Sequence, residues 1–217
     1  MNRFVKTLSL VLVSLLIAAL PAGAASWIGG TDIWDDTNTT PWQGGVIPVA
    51  AAAVNLTQVT AGNMDITYGV VTPPTAGPSN PEGTYYGNLV LSNSGGGVTS
   101  LNLDLGDSLP PTNTNIYAGG RLALNDGTFY TQSEMYLRGG EVAQSGGLVT
   151  LRNYDLNLYP GAGVTATYNL SGGTVQIPGG RALEIGSHNH AAAPAGTSVF
   201  NLSGAAQILG KVNVGKG

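Results

Sequence analysis

Residues 168–175 read Tyr-Asn-Leu-Ser-Gly-Gly-Thr-Val, and residues 200–206 repeat the pattern as Phe-Asn-Leu-Ser-Gly-Ala-Ala. Two glycine-containing turns of the same kind lie earlier, at 145–148 (Ser-Gly-Gly-Leu) and at 125–128 (Asn-Asp-Gly-Thr). Repetition of this kind is typical of solenoid proteins, in which each repeat forms one coil of the backbone. The turns therefore predict a solenoid that bends at equivalent corners, with Gly127, Gly146, Gly172 and Gly204 in one column.

Aliphatic side chains alternate with other residues after each of these turns. The pairs are Met135 and Leu137, Leu156 and Leu158, Leu183 and Ile185, and Val212 and Val214. Such a period of two is the pattern of a β-strand with one buried face. We call the strand that contains each of these pairs the second strand of its coil. Residues 101–106, which begin Leu-Asn-Leu-Asp-Leu, are interpreted as the second strand of an earlier and more degenerate coil.

The repeat spacing identifies the corner that accepts insertions. The four turns start 20, 26 and 32 residues apart, and the extra residues fall at 160–165 and around 188–196. Both insertions follow the second strand and precede the aromatic-Asn-Leu strand, whereas a β-sandwich would scatter its variation among different turns. Insertions at one corner leave the stacking of a coil unchanged. The sequence predicts an all-β fold, a right-handed parallel β-helix in coils of about 20 residues.

One coil alone buries too few aliphatic side chains to offset the entropy lost on ordering its backbone. Stability must therefore come from pairing each strand with its equivalents in the neighbouring coils. Asn169 and Asn201 occupy equivalent positions in this scheme, and we expect their amides to stack as a ladder.

The chain begins with a segment that resembles a secretory signal peptide. Arg3 and Lys6 provide a basic head, residues 8–20 are apolar, and Pro-Ala-Gly-Ala ends the segment at Ala24. Its apolar run is short for a membrane-spanning helix, which needs about 20 residues. We expect cleavage after Ala24 and a mature protein that is secreted or displayed at the cell surface, with no transmembrane segment.

Residues 25–85 are predicted to form an N-terminal cap and the first strands, and residues 86–217 to form the imperfect solenoid. Trp27, Trp34 and Trp42 are the only tryptophans, and they are expected to make an aromatic-rich cap over the open core. The four prolines of residues 72–83 predict a surface loop, because proline cannot donate to a strand ladder.

Composition excludes several functional classes. Charged residues make up 9% of the chain, and removal of Arg3 and Lys6 leaves 6 basic against 12 acidic side chains. Nucleic acid is therefore not an expected partner, because no basic patch is available to displace counterions. The chain has no cysteine, so no disulfide framework supports it.

The motifs together resemble a known kind of protein. The N-terminal region from Trp34 to Pro48 resembles the tryptophan- and asparagine-rich N-terminus of large secreted β-helix proteins of planctomycetes and related bacteria, and the string at 168–175 is similar to their repeat unit. Such proteins often carry a C-terminal PEP-CTERM sorting signal, and they resemble autotransporter passengers of the pectin-lyase-like superfamily. The resemblance implies the fold and an extracellular location. Because the sequence stops at Gly217 just after a strand, we expect it to be truncated there or covered by a partner.

Enzymes of the β-helix class suggest one candidate catalytic site. Glu134 and Asp155 each precede the second strand of their coil, which would place them about 5 Å apart in adjacent coils. Arg152 and Arg181 are the nearest basic side chains. A polysaccharide lyase or hydrolase needs clustered carboxylates with a nearby cation, but an exposed pair of charges at a coil corner also explains this pattern. We therefore assign no catalytic residue.

Other candidates are weaker. Asp104 and Asp107 flank a turn and are interpreted as solvated turn residues. His188 and His190 would face one side of an extended segment, but no cysteine or nearby carboxylate completes a tetrahedral metal site, so we interpret them as a loop tip. Neither a calcium-binding GGxGxD repeat nor a G-x-S-x-G motif occurs. No metal or cofactor is predicted.

The sequence thus predicts an exported structural or adhesive β-solenoid without catalytic activity. Its expected partners are extracellular polysaccharide, a matrix or another copy of itself. A carbohydrate-binding module that uses Trp34 or Trp42 as a platform, or a polysaccharide lyase or hydrolase, is the alternative.

Overall fold

The structure is a computed structural model that describes residues 25–28, 30, 32–34, 41, 43, 52–59, 61–69, 86–104, 107–186 and 195–215. Its strands form three sheets in which every ladder is parallel. No helix in these ranges is both long and apolar enough to cross a membrane. The predicted signal peptide, the proline-rich loop at 72–83 and the histidine pair lie outside the described residues.

The strands of each sheet are given in spatial order. Sheet 1 contains β1 (Ala25–Ser26), β3 (Val54–Gln58), β5 (Tyr86–Asn93), β8 (Pro111–Tyr117), β11 (Met135–Arg138), β14 (Leu156–Leu158), β17 (Ala182–Ile185) and β20 (Lys211–Val214). Sheet 2 contains β2 (Asp32–Trp34), β4 (Met64–Tyr68), β6 (Thr99–Leu103), β9 (Gly120–Leu124), β12 (Glu141–Gln144), β15 (Thr165–Leu170) and β18 (Thr197–Leu202). Sheet 3 contains β7 (Ser108–Leu109), β10 (Thr128–Thr131), β13 (Leu148–Leu151), β16 (Thr174–Gln176) and β19 (Gln207–Leu209).

From β5 onward the chain visits the sheets in the order 1, 2, 3 and then returns to sheet 1. Each circuit is one coil, and we number the coils that start at β5, β8, β11, β14 and β17 as coils 3 to 7. The first corner joins sheet 1 to sheet 2, the second joins sheet 2 to sheet 3, and the third returns the chain to sheet 1. This architecture is a parallel β-helix, as the repeats predicted.

The core consists of columns of inward side chains that run through successive coils. In sheet 2 the central column is in strict register. Its members are Ile66, Leu101, Leu122, Val142, Tyr168 and Phe200. The alternation of inward and outward positions along every strand keeps apolar side chains in the interior, and all members of this column except Phe200 are buried. Each column therefore links the stability of one coil to that of the next.

The second corner is the column of glycine turns that the sequence predicted. Gly146 lies over Asn125, Gly172 over Ser145 and Gly204 over Ser171, each so close that an added β-carbon would meet the backbone carbonyl below. Gly147 and Gly173 have φ angles of 65° and 76°, which only glycine adopts readily. The predicted column is confirmed for Gly146, Gly172 and Gly204. Gly127 differs by one position, because the register places it under Gly147 rather than under Gly146.

The first corner holds the insertions, again as predicted. It is short in coils 4 and 5, where residues 118–119 and 139–140 connect the strands. It is longer in coil 3 (94–98), coil 6 (159–164) and coil 7 (186–196). In coils 3 and 6 the extra residues are accommodated because they lie outside the three ladders that hold adjacent coils together, whereas residues 187–194 of coil 7 are not among the described residues.

One strand assignment from the sequence is wrong. Leu101 and Leu103 belong to β6 in sheet 2, where they stack on Leu122 and Leu124. They are therefore equivalent to the aromatic-Asn-Leu strand and not to the second strand, which in this coil is β5. The error arises because both kinds of strand show the same alternation of leucines, so a period of two does not distinguish them.

The N-terminal aromatic residues close the start of the core. Trp34 is fully buried, and its ring makes an edge contact with Tyr68 at a centroid distance of 5.0 Å and a tilted contact with Tyr86 at 5.4 Å. Trp27 is also buried, and Trp42 lies outside the described residues. Strands β1 to β4 pair in register with the later coils, so this region continues two of the three sheets.

Some apolar side chains in the last described strands are exposed although the residues on which they stack are buried. Leu202 is 56% exposed, for example, although it stacks on the buried Leu170. Val212 and Val214, at the ends of the two sheet 1 columns, are 41% and 73% exposed.

Candidate functional site

The candidate carboxylates Glu134 and Asp155 occupy stacked positions, as the sequence predicted. The Met135 amide donates to the Asp155 carbonyl, which shows that the two residues are neighbours in adjacent coils. Their side chains have different partners, however. Asp155 Oδ1 accepts a hydrogen bond of 2.8 Å from the Ala182 amide in coil 7, whereas Glu134 bonds to Tyr136 in its own coil. Asp155 therefore supports the start of β17.

Tyr136 and Arg138 follow Glu134 along the outer face of sheet 1, and neither was predicted as a site residue. The guanidinium of Arg138 lies 4.4 Å from the centroid of the Tyr136 ring, and its Nε donates to Asn115 Oδ1 at 3.1 Å. Burial raises the pKa of Tyr136 to about 12, and the hydrogen bond and the charge of Glu134 add to this effect. Tyr136 is therefore a neutral hydrogen-bonding group at physiological pH.

The two arginines predicted for this site lie at the third corner of successive coils. Arg181 lies over the ring of Tyr154 at 5.0 Å, at the third corner. Arg152 is held by its own interactions at the same corner of the preceding coil. Arg138 contacts Tyr136, the partner of Glu134, and the sequence analysis missed these contacts although Glu134, Tyr136 and Arg138 occupy alternate positions of a single segment.

Asp104 and Asp107 form the second corner of coil 3, as expected for turn residues. Asp107 Oδ2 accepts from the Asp104 amide at 2.7 Å, and Asp104 Oδ1 accepts from Asn125 Nδ2 at 2.7 Å. Burial raises the pKa of Asp107, the hydrogen bond from Asp104 opposes this, and the charge of Asp104 reinforces it. Within the described part of the chain, no group of three or more acidic, histidine or cysteine side chains could hold a metal ion.

The prediction that Trp34 is a platform for binding a sugar is wrong, because the Trp34 ring lies in the core and has no exposed surface. A planar aromatic side chain can bind a sugar only when one face is open to solvent. Trp34 therefore serves packing, and the same holds for Trp27, which is 3% exposed.

A concave site does exist at the first corner, where coils 4 and 5 have short connections between longer ones. We call it the notch. Its floor is made by residues 119–120 and 139–140, all glycine, and its walls are Val98, Arg121, Glu141, Thr165 and Thr167. The cavity has a volume of about 330 Å³, near the lower limit of typical ligand pockets.

The glycine floor follows from how closely the coils approach one another. A β-carbon on Gly120 would lie 2.4 Å from the Leu91 carbonyl oxygen, and one on Gly140 would lie 2.5 Å from the Tyr117 carbonyl oxygen. Side chains are therefore excluded from the floor for structural reasons. The consequence is a recess between the side chains of coil 3 and those of coil 6.

An ion pair lies in the notch. Arg121 and Glu141 are stacked in register, with Arg121 Nε 3.5 Å from Glu141 Oε2, and their side chains are 40% and 38% exposed. The contact lacks hydrogen-bond geometry, and Arg121 Nε has no hydrogen-bond partner among the described residues. Exposed pairs of this kind contribute only about 0–1 kcal/mol to stability. The pair is thus not needed to hold the coils together.

Glu141 also belongs to a hydrogen-bonded row on the outer surface of sheet 2. Asn169 Nδ2 donates to Glu141 Oε1 at 2.8 Å, and Asn201 Nδ2 donates to Asn169 Oδ1 at 2.7 Å. The second bond confirms the predicted amide ladder. These hydrogen bonds fix the orientation of the Glu141 carboxylate. Arg121 lies on the other side of Glu141, in coil 4, and is the last residue of the row in the direction of coil 3.

Sequence reasoning missed the notch although a signal was present. Gly119-Gly120-Arg121 and Gly139-Gly140-Glu141 are two Gly-Gly-charge strings separated by one coil. Their equivalence becomes visible only with the register of β9 and β12, which pairs Arg121 with Glu141.

The fold and the notch define a parallel β-helix with a small polar recess on one corner. Comparison with known protein families, characterised proteins and solved structures finds no match for this chain. Its function is therefore argued from its own geometry.

Proposed function

We propose that the mature chain is an exported, non-catalytic rod that acts in structure or adhesion at the cell surface or in the extracellular matrix. The observation that carries the proposal is the continuity of the ladders, which run in register from β3 to β20 in sheet 1. A solenoid held by nearest-neighbour contacts along its whole length is stiff and presents a long, regular surface.

The outer faces of the sheets support a role in surface contact. Sheet 1 carries a column of mostly polar outward residues in register. The column is Asn55, Val90, Asn115, Tyr136, Asn157, Glu184 and Asn213, of which Asn157 and Glu184 are buried, each 1% exposed. The neighbouring Asn115 and Tyr136 are partly exposed and lie about 4.8 Å apart, a spacing suited to a partner that is itself repetitive, such as a polysaccharide or a second copy of the chain.

Export is the second part of the proposal, and it depends on the segment that resembles a signal peptide. The planctomycete-type family with sorting signals stays a hypothesis drawn from the sequence motifs. Expression of the full-length chain in a bacterium with an outer membrane tests export. We expect the intact mass to show cleavage after Ala24, and a product that keeps residues 1–24 in the cytoplasm would contradict the proposal.

Carbohydrate binding is the second candidate function, and the notch is the observation that favours it. A polysaccharide lyase or hydrolase is less favoured, because Asp155 Oδ1 already accepts from the Ala182 amide and the Arg181 guanidinium lies over the Tyr154 ring.

The adhesive and enzymatic hypotheses can be separated with purified residues 25–217. Beads coated with the protein are incubated with insoluble cellulose, chitin and calcium alginate. The supernatant is followed at 235 nm for the unsaturated uronate that a lyase releases and is assayed for the reducing ends that a hydrolase releases. We expect retention on at least one matrix and neither product. Turnover that Asp155→Ala abolishes, with Asp126→Ala as a control for loss of an acidic side chain, would overturn the proposal.

A further inference from the structure

We propose that the notch binds a neutral sugar unit through a vicinal diol held between Arg121 and Glu141. This inference rests on the proposed adhesive function and names the chemistry of its contact. It depends on three observations: the recess at the first corner, the exposed and weakly bonded ion pair inside it, and the hydroxyl-bearing wall opposite Val98.

The ion pair determines which ligand chemistry fits. A guanidinium donates hydrogen bonds only, and a carboxylate accepts them only. A hydroxyl group does both, so two adjacent hydroxyls can accept from Arg121 and donate to Glu141 at once. Hydrogen bonds to charged groups are stronger than those between neutral groups, which makes a diol a suitable partner for this pair.

The net charge of the notch argues against an ionic ligand. Arg121 and Glu141 cancel, and the remaining wall residues Val98, Thr165 and Thr167 are uncharged. An acidic sugar would be attracted by Arg121 and repelled by Glu141, and a cationic ligand the reverse, so the pair offers neither a net electrostatic advantage. A neutral sugar needs no net charge in the site, which distinguishes this site from one built for uronates.

The walls suit the two faces of a sugar ring. Val98 is 37% exposed and offers an apolar surface on the side of coil 3. Thr165 and Thr167 offer hydroxyls on the side of coil 6, and the glycine floor between them lets a ring approach the backbone. Glu141 is already oriented by Asn169, so little ordering of this side chain is required on binding.

The test uses residues 25–217 and four defined probes: cellotetraose, maltotetraose, xylotetraose and tetragalacturonate. Binding is measured by calorimetry and by chemical-shift changes of the Gly119, Gly139 and Thr167 amides. We expect at least one neutral tetramer to bind and to shift these amides, and tetragalacturonate to bind at least about tenfold more weakly. No binding of any neutral tetramer, or tighter binding of tetragalacturonate, would overturn the proposal.

Two sets of variants locate the bound sugar. Arg121→Gln and Glu141→Gln are expected to weaken binding at least about tenfold, whereas Arg138→Gln, which removes an arginine from sheet 1, should leave it within about twofold. Thr165→Trp fills the notch from its exposed rim, and Thr197→Trp places the same ring at the paired position one coil further, outside the notch. Thermal melts by circular dichroism establish that each variant is folded.

Affinity that survives Thr165→Trp, or that Thr197→Trp reduces equally, would place the sugar elsewhere and contradict the assignment. The outcome is separable from that of the proposed function. If the notch variants lose the tetramer but still adhere to a matrix, both proposals stand, and if the wild-type chain adheres but binds no neutral tetramer, only the notch assignment fails.

Discussion

At the scale of single residues, the corner glycines combine two requirements that no other residue meets. Gly147 needs a positive φ, and its α-carbon lies against the corner below, where an added β-carbon would be 2.1 Å from the Gly127 carbonyl oxygen. Because the clash is with backbone, side-chain rotation cannot relieve it. The close spacing of the coils therefore depends directly on the absence of a side chain here.

Gly147→Ala tests this dependence. We expect the substitution to lower the free energy of unfolding by more than about 3 kcal/mol, since backbone strain and overpacking act together. The measurement is urea unfolding followed by far-ultraviolet circular dichroism. Gly161→Ala is the matched control, because an added β-carbon there meets nothing within 4 Å, and it should change stability by less than about 1 kcal/mol. Equal losses in the two variants would contradict the close-packed corner.

Tyr136 gives a prediction about pH at the same scale. Its pKa is raised to about 12 in the folded chain, against about 10 in an unfolded chain. The folded state therefore holds this proton more tightly, so the associated stability is fully present below pH 10 and is lost as pH rises toward 12. We expect Tyr136→Phe to reduce the loss of stability between pH 10 and 12, measured from urea midpoints.

Two further variants complete the pH experiment. Glu134→Gln replaces the carboxylate, whose charge and hydrogen bond both raise the pKa of Tyr136, by a neutral amide that is a weaker acceptor, so ultraviolet titration of the variant should show a lower tyrosine pKa. Tyr117→Phe, at a side chain 40% exposed, controls for the removal of a surface phenol. An unchanged alkaline slope in Tyr136→Phe would show that this residue is not the one that titrates.

At the scale of elements, each strand owes its stability to the strands above and below it. A column position near the middle of the helix is covered on both sides, whereas the same position in the last described coil is covered on one side. Leu170 in β15 and Leu202 in β18 are paired directly, yet Leu170 is 1% exposed and Leu202 is 56% exposed. The two leucines thus differ mainly in burial.

This pair permits a controlled measurement of how much stability stacking contributes. Leu170→Ala is expected to lower the free energy of unfolding by about 2–5 kcal/mol, as for other leucines in close-packed cores. Leu202→Ala should lower it by less than about 1 kcal/mol, because its side chain is largely in solvent already. Both are read from denaturant unfolding. Similar losses would mean that the end of the solenoid is covered in solution.

A polar pair inside sheet 2 shows that elements also carry specific contacts. The Tyr168 hydroxyl donates to Gln144 Oε1 at 2.7 Å, and Gln144 Nε2 donates to the Thr174 carbonyl at 3.1 Å. Burial raises the pKa of Tyr168 above its ordinary value. Both side chains occupy inward positions, and their mutual hydrogen bond offsets the cost of removing them from water.

At the scale of the whole molecule, the coils behave as repeated units joined by nearest-neighbour contacts. Thr114 of β8 is paired with Met135 of β11, so removal of residues 114–134 takes out one complete circuit. The remaining columns meet in register, with Leu101 over Val142 in sheet 2. The chain should therefore tolerate the loss of a coil better than the loss of part of one.

Deletion of 114–134 is expected to leave a folded β-protein, shorter by about 4.8 Å along its axis. Circular dichroism and small-angle X-ray scattering measure the two properties. Deletion of only 114–124 is the control: it removes residues 114–117 of β8 and all of β9 but leaves β10, so we expect loss of the fold or aggregation. If the full-coil deletion unfolds as completely as the partial one, the coils are not interchangeable units.

The amino-acid sequence by itself determined the architecture. Alternating apolar positions, repeated glycine turns and insertions at a single corner each constrain the backbone locally, so they predicted the parallel β-helix, the glycine column and the Asn169–Asn201 ladder. The strand assignment of residues 101–106 was wrong because the prediction used only local patterns, and local alternation does not show to which sheet a strand belongs.

Only the tertiary structure decided where the polar groups meet. Arg121 and Glu141 are a full coil apart in sequence and become neighbours through strand register, and the notch exists because two short corners lie between longer ones. Likewise Asp155 proved to bond the backbone of the next coil, and Trp34 proved to be buried. The physical reason is that a solenoid fixes its core within each coil, whereas its surface sites arise between coils, from the offsets and corner lengths of neighbours.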